Sequence, residues 1–451
     1  MTDRHVIIVG GGIAGIAAAL RLSEHGIRVT LLETRKKLGG RATSFTDVRT
    51  GHVIDNCQHV ALGCCTNFLD LCARLGVRDK IDWRREIFWV EEGGRTSLLI
   101  PGILPAPAHF TASFLRASFL TMAEKLAIGR AMRAVMAEDP GEERARTFQD
   151  WLLGHGQSPA VIDKFWSPVI VSACNLSVDR VAASSALHVF REGFLAHRDA
   201  AMVGVPSVPL VEMYDGAEEC IKRGGGDVRL GCGVEEIRPD RVRTTACEEI
   251  VADRVICAVP FERAVRIVAE DVRRMDGRFG DMALLRHSPI LGVHLVFESP
   301  VLPMHSAVLV SRPTQWLFRK DDAGVMVHAV ISAADEWIEL TEAEITERVL
   351  ADIHACFPKS RGVKLVSSRP VKEKLATFAP TPGSDDARPA TEGPSGLILA
   401  GDYVQTGWPA TMEGATRSGY MAAAAVLGES RERFLQPSLK TGMFARMMGL
   451  E

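Results

Sequence analysis

The feature that most constrains this chain lies in its first forty residues. A β-rich apolar run, Val6–Val9, leads into Gly10-Gly11-Gly12-Ile13-Ala14-Gly15 and a helical pattern that Gly26 ends. A second apolar run, Val29–Leu32, stops at Glu33. Strand, tight turn, helix and strand with G-x-G-x-x-G at the first turn is a βαβ dinucleotide-binding unit. Gly10 permits the sharp turn, Gly12 lets a pyrophosphate approach the backbone, and Gly15 lets the helix pack closely on the strand. The amides that open the helix, at Ile13 and Ala14, are unpaired and lie at the positive end of its dipole. Glu33 is 18 residues beyond Gly15. A carboxylate there accepts from ribose hydroxyls and repels a 2′-phosphate.

Composition removes other classes. Against 53 Lys and Arg stand 56 Asp and Glu among 451 residues, a net charge of −3. A dedicated nucleic-acid binder would carry a basic excess. Ten cysteines without a C-x-x-C pair read as reduced thiols, and no metal site is expected. Val6–Leu22 is broken by four glycines and holds Arg21, so it is a poor membrane span and a poor signal peptide. The expectation is a cytoplasmic protein with, at most, peripheral contact at the inner face of the cytoplasmic membrane.

After Glu33 comes Thr34-Arg35-Lys36-Lys37-Leu38-Gly39-Gly40-Arg41. This run resembles the extended glycine motif of the FAD-dependent amine oxidase and carotenoid desaturase superfamily, in which such an arginine faces the pyrophosphate. Far along the chain, Leu397–Ala400 is a buried-strand pattern running into Gly401-Asp402, followed by Gly407-Trp408-Pro409-Ala410-Thr411-Met412-Glu413-Gly414-Ala415 and a helical stretch to Leu427. The resemblance implies that Asp402 binds the ribityl chain. It also implies that the helix opening at Pro409–Met412 points its N-terminus at the flavin pyrimidine, where reduced flavin is negative. Thr34, Arg35, Gln58, His59, Val234 and Ala258 complete the implied flavin contacts. No Cys or His falls between residues 400 and 420, so the expected FAD is noncovalent.

The pattern therefore predicts an α/β protein. Its Rossmann-like FAD-binding domain, of glutathione-reductase type, is assembled from 1–66, 205–285 and 388–430. A mixed α/β substrate domain is inserted at 67–204 and 286–387, and 431–451 forms a tail. Thr66 to about Ala137 reads as mostly helical, broken by a strand-like stretch near Ile87–Val90 and by Pro101–Pro107. Phe110, Phe114, Leu115, Phe119 and Met122 recur at helical spacing. Strands are expected after Pro289, then a helix capped by Thr341 and Glu344.

Ile54-Asp55-Asn56-Cys57-Gln58-His59-Val60-Ala61-Leu62-Gly63 and Gly407–Ala415 look like the hydroxysqualene dehydroxylase family, the squalene-associated FAD-dependent enzymes of hopanoid biosynthesis. Phe165-Trp166-Ser167-Pro168 with Asn175, and Val330–Ala334, fit the same pattern. Cys57 and Cys65 depart from it, standing where glycine and tyrosine are usual. The resemblance implies reduction: hydroxysqualene and reduced FAD give squalene, water and oxidised FAD, with the reductant of FAD unspecified. Hydroxide is a poor leaving group, so a proton donor is required. His59 ranks first for that role, then Tyr403 and Glu413, with a flavin-contacting or loop-ordering role for His59 as the alternative.

A C30 isoprenoid needs an apolar tunnel. Phe110–Met122, Phe165, Trp166, Leu176, Phe190 and Trp337 are candidates to line it or to form plain core. Pro101–Phe119 is the candidate for membrane contact. Competing readings are a polyprenyl or carotenoid desaturase, an amine oxidase, and a prenyl-binding escort protein of the same fold that does no redox chemistry. An amine oxidase would need an aromatic cage, and only three tyrosines are present.

Overall fold

The computed structural model describes residues 4–450. In chain order, β1 (His5–Val9), α1 (Ile13–Glu24) and β2 (Arg28–Glu33) form the opening unit. Then follow α2 (Thr66–Arg74), β3 (Ile87–Val90), β4 (Thr96–Leu99), α3 (Thr111–Arg116) and α4 (Met122–Ala137). Next are α5 (Ser167–Cys174), α6 (Ala183–Phe190), α7 (Gly216–Arg223), β5 (Asp227–Leu230) and β6 (Arg254–Cys257). A run of strands comes after: β7 (His287–Phe297), β8 (Ser306–Leu309), β9 (Trp316–Arg319) and β10 (Met326–Ser332). The chain finishes with α8 (Glu342–Cys356), β11 (Leu365–Phe378), β12 (Ile398–Leu399), α9 (Met412–Leu427) and α10 (Met443–Met447).

The five-stranded sheet has the order β5-β2-β1-β6-β12, and every pairing is parallel. Its strands come from residues 5–33, 227–257 and 398–399, so the sheet closes only when both ends of the chain meet. α1 is buried from Ile13 to Ser23 because the sheet lies on one side and α9 on the other. That contact is close. A Cβ on Gly419 of α9 would stand 2.3 Å from the Ala14 carbonyl oxygen.

The second sheet, β11-β7-β10-β9-β8-β3-β4, is antiparallel apart from the parallel β8–β3 pair. Alternation assigns its faces. Leu291, Val293, Leu317, Ala329 and Ile331 pack beneath Ile345, Val349 and Ile353 of α8, whose capping box at Thr341 and Glu344 forms as expected. Ile290, Trp316, Phe318 and Val330 point the other way, into a cavity.

Several expectations need correction. The strand expected at Ile87–Val90 forms as β3. The stretch from Thr66 is otherwise less helical than its pattern implies: Ile81–Arg84 and β4 are strands too, and β3 and β4 make a hairpin across Gly93 and Gly94. β3 also pairs with β8, far away in sequence, a contact that no local periodicity reveals. Phe110–Met122 is not one helix, since α3 ends at Arg116 and α4 begins after its own cap, Thr121. Trp166, Leu176 and Trp337 are core residues and do not line the cavity. The Trp166 indole donates to Gln157 Oε1 at 3.0 Å.

Candidate active site

The opening glycines meet three different environments. Gly10 has φ +112°, and a Cβ there would lie 2.6 Å from the Ala258 carbonyl oxygen. At Gly15 a Cβ would sit 1.9 Å from the Gly10 carbonyl oxygen, so helix and turn touch. Gly12 has φ −77°, and its nearest neighbour would be the Gly40 Cα at 3.9 Å. The protein itself leaves room for a side chain at Gly12, and that room belongs to the cavity.

Glu33 holds two loops at once. One oxygen accepts from the Gly11 amide at 2.7 Å and the other from the Arg35 amide at 2.7 Å. Each oxygen keeps a further lone pair. Gly39 and Gly40, with φ +107° and +60°, bring the next loop against the first, where the Gly39 amide donates to the Gly11 carbonyl at 2.9 Å. Arg41 then reaches the other chain end. Its guanidinium pairs with Asp402 and donates to the Ala376 carbonyl at 2.9 Å.

Asp402 is set by the end of β12. The Gly401 amide donates to Ser418 Oγ at 2.8 Å. Buried Arg388 shapes the loop beyond, donating to the Val404 carbonyl at 2.7 Å and the Trp408 carbonyl at 2.8 Å. Thr411 caps α9, its Oγ accepting from the Gly414 amide at 3.1 Å. The Met412 and Glu413 amides precede the first intrahelical bond.

One cavity of about 850 Å3 joins these features. Gly10, Gly12, Ile13, Ala14, Glu33, Thr34, Arg35, Gly39, Gly40 and Arg41 line it. So do Gln58, His59, Val234, Ala258, Gly401, Asp402, Pro409, Ala410, Thr411 and Met412, while Gly15 packs behind it. From this polar end the cavity continues into an apolar channel walled by Trp89, Leu99, Phe110, Phe114, Phe165 and Phe190. Four of the proposed tunnel residues therefore face it.

The three candidate proton donors differ in placement. His59 lines the cavity with Nδ1 3.2 Å from the Cys57 carbonyl, which puts the proton of the neutral ring on Nδ1. Burial lowers its pKa, partly offset by that carbonyl and by Asp55. Tyr403 also lines the cavity, is 1 % exposed, and its hydroxyl has no hydrogen-bond partner among the described residues. Burial holds the phenol well above its ordinary pKa, so it stays protonated. Glu413 also lines the cavity, but its carboxylate is engaged by another element. Its oxygens accept from the Phe68 amide and the Asn67 side chain, both at 2.8 Å, which anchors the start of α2.

Two further charged groups at or near the cavity carry no motif. Glu192 is half-buried on the wall, and burial raises its carboxyl pKa. Lys320 sits outside the wall and bonds Gln58 Oε1 at 3.1 Å and Asp55 Oδ2 at 3.3 Å, pinning the loop that carries His59. Glu192 stands in the π-helical turn Arg191–Leu195 that follows α6 and Lys320 just beyond β9, so neither had a spacing signal to mark it.

Residues 13–427 match the family model described as flavin containing amine oxidoreductase. The chain belongs to this family. It is an FAD-dependent oxidoreductase, which sets the escort reading aside. The chain is 25 % identical to a zeta-carotene desaturase of Zea mays, over 95 % of this chain and 84 % of that protein. It is 25 % identical to a probable zeta-carotene desaturase of Synechococcus elongatus, over 94 % and 98 %. Among solved structures, a putrescine oxidase bound to putrescine has the same fold, with a TM-score of 0.72 at 18 % identity over 94 % of this chain and 99 % of that one. The residues present fit FAD. The cradle at Gly12 that a Cβ would fill, the free amides of two helix N-termini and the Glu33 carboxylate suit pyrophosphate and ribose. Among the described residues no cluster of side chains suits a metal, and no helix is long and apolar enough to cross a membrane.

Proposed function

We propose that this flavoenzyme reduces hydroxysqualene to squalene. In this reading Glu33 holds the adenosine ribose, Gly12 and the opening of α1 hold the pyrophosphate, and Arg41, Asp402 and the opening of α9 hold the rest of FAD. When bound and reduced, FAD supplies the hydride that replaces the allylic hydroxyl, whose oxygen leaves as water. The chain supplies the proton and the dry channel. In the protonated ring Nδ1–H stays on the Cys57 carbonyl, and the second proton, on Nε2, is the one His59 delivers to the leaving oxygen. The protonated Tyr403 hydroxyl is the second donor in rank. Roughly 25 cal/mol per Å2 of buried apolar surface holds a C30 chain without polar contacts.

The observation that carries the reading is the apolar channel, walled by Phe110, Phe114, Phe165 and Phe190 and continuous with the flavin end. It suits a long hydrocarbon. Two of the three tyrosines are also unavailable for an amine cage. Tyr214 is packed in the core against Gly39, and Tyr420 donates to Asp70 at 2.7 Å. A second reading, isoprenoid desaturation, is favoured by the similarity to carotene desaturases along nearly the whole chain.

The two separate in one anaerobic experiment. Chemically reduced enzyme is mixed with hydroxysqualene, and oxidised enzyme with phytoene or zeta-carotene. The proposal expects flavin absorbance near ~450 nm to return with hydroxysqualene, with squalene as product. Bleaching by a carotene, with hydroxysqualene silent, would establish the desaturase instead.

A further inference from the structure

The channel has an opening far from the cofactor end. Thr111, Gly129 and Met448 both line the cavity and are exposed to solvent, so the channel reaches the surface between α3, α4 and the residue after α10. These three elements are held together. Lys125 of α4 donates to the Leu115 carbonyl of α3 at 2.7 Å. Gly442 and Gly449, at the two ends of α10, lie against the carbonyls of Ala106 and Met136, with built Cβ distances of 3.4 and 3.5 Å.

The rim around this mouth is apolar and faces water. Leu115 is one turn from Thr111, Leu126 one turn from Gly129, and Phe444 one turn from Met448. Their exposures are 48 %, 62 % and 48 %, and Met447 reaches 76 %. Beside them the loop residues Ile103 and Leu104 project, Ile103 at 97 %. Single exposed apolar residues are ordinary, but a group ringing one opening marks an interaction surface. Among the described residues of this rim the exposed charges have one sign. Arg116, Arg130, Arg133 and Arg446 are all exposed, whereas residues 103–133 contain a single acid, Glu124. That carboxylate is taken up by the Thr121 capping box and by Lys164 at 3.1 Å.

We propose that this rim docks on an anionic lipid bilayer, with Leu115, Leu126, Phe444 and Met447 entering the acyl boundary and the four arginines meeting lipid phosphates. A substrate dissolved in the membrane then passes into the channel without crossing water. The inference rests on reading the channel as a site for a lipid-soluble substrate. The wedge of apolar side chains with a cationic collar is how interfacial segments bind, and their grip grows with buried apolar area and with anionic lipid.

Flotation of the FAD-loaded protein with phosphatidylcholine vesicles, with and without phosphatidylglycerol, tests it. The wild type is expected to float with the anionic vesicles, less with the neutral ones and less at high salt. Phe444→Glu with Met447→Glu, both on exposed positions, should reduce flotation about tenfold while leaving turnover of detergent-dispersed substrate unchanged. Equal flotation of wild type and variant overturns the proposal. So does a wild type that ignores both vesicles, or that sizes as a dimer which the variant separates. Flotation does not depend on redox chemistry. A protein that floats but reacts with no isoprenoid would sink the functional reading alone, and one that reduces hydroxysqualene in detergent but never floats would sink the docking alone.

Discussion

Gly12 and Gly15 are three residues apart and carry opposite requirements. A side chain at Gly15 collides with the Gly10 carbonyl, whereas one at Gly12 meets no protein atom closer than 3.9 Å. Gly15→Ala should therefore destabilise the fold by about 1–3 kcal/mol, read as a lower melting temperature of the apoprotein. Gly12→Val should leave apoprotein melting nearly unchanged and abolish FAD binding. His59 gives a pH prediction. Its imidazole is held below the ordinary value near 6.5, so the proton-bearing form dominates only at more acid pH and is lost as pH rises through that lowered pKa. Reductive turnover should fall along that limb. His59→Gln should flatten it and lower kcat by roughly 10²–10⁴-fold; an unchanged profile would pass the role to Tyr403 or Glu192. The cavity thiols should stay unreactive towards flavin. Burial pushes the Cys57 thiol up to about 12, far from the thiolate that attacks. Acid precipitation should leave FAD in the supernatant. Local motifs made the glycines, Glu33 and Asp402 legible in the sequence, because backbone geometry there admits few residues. Glu192 and Lys320 were not legible, since only the folded chain brings them to the cavity and the His59 loop.

Among the elements, the pairing of α1 with α9 decides whether a site exists. Gly419 brings the two helices together, with their N-termini serving one cavity. Gly419→Val should force them apart at a cost of about 1–3 kcal/mol and weaken FAD binding as well, detected by melting and by flavin titration of the same preparation. Strong periodicity made β1, α1, β2 and α8 readable. β11 escaped because it is an edge strand rich in Ser, Lys and Glu, interrupted by Pro370, which an edge tolerates. The false continuous face from Phe110 to Met122 arose from spacing alone. Leu115 and Met122, which it placed with the core, are exposed, and Phe119 is the buried member.

For the molecule as a whole, stability should depend on pH through buried neutral histidines. Burial lowers His109 and His188 to about 4 and takes His328 well below its ordinary value. The unfolded chain takes up protons near pH 6.5, whereas the folded chain resists until about 4. Their contribution is thus fully present above 6.5 and is lost as pH falls towards 4. The melting temperature of the apoprotein should drop across that window, and a flat profile would contradict it. The central claim concerns the two chain ends, which meet through the parallel sheet, the packing of α9 on α1 and the Arg41–Asp402 pair. FAD titration of the apoprotein, followed by flavin fluorescence, tests it most directly with wild type, Gly12→Val and Asp402→Ala side by side. One FAD per wild-type chain is predicted, with affinity lost or weakened at least about tenfold in each variant. Wild-type affinity in either variant would mean that the two ends do not hold the same flavin.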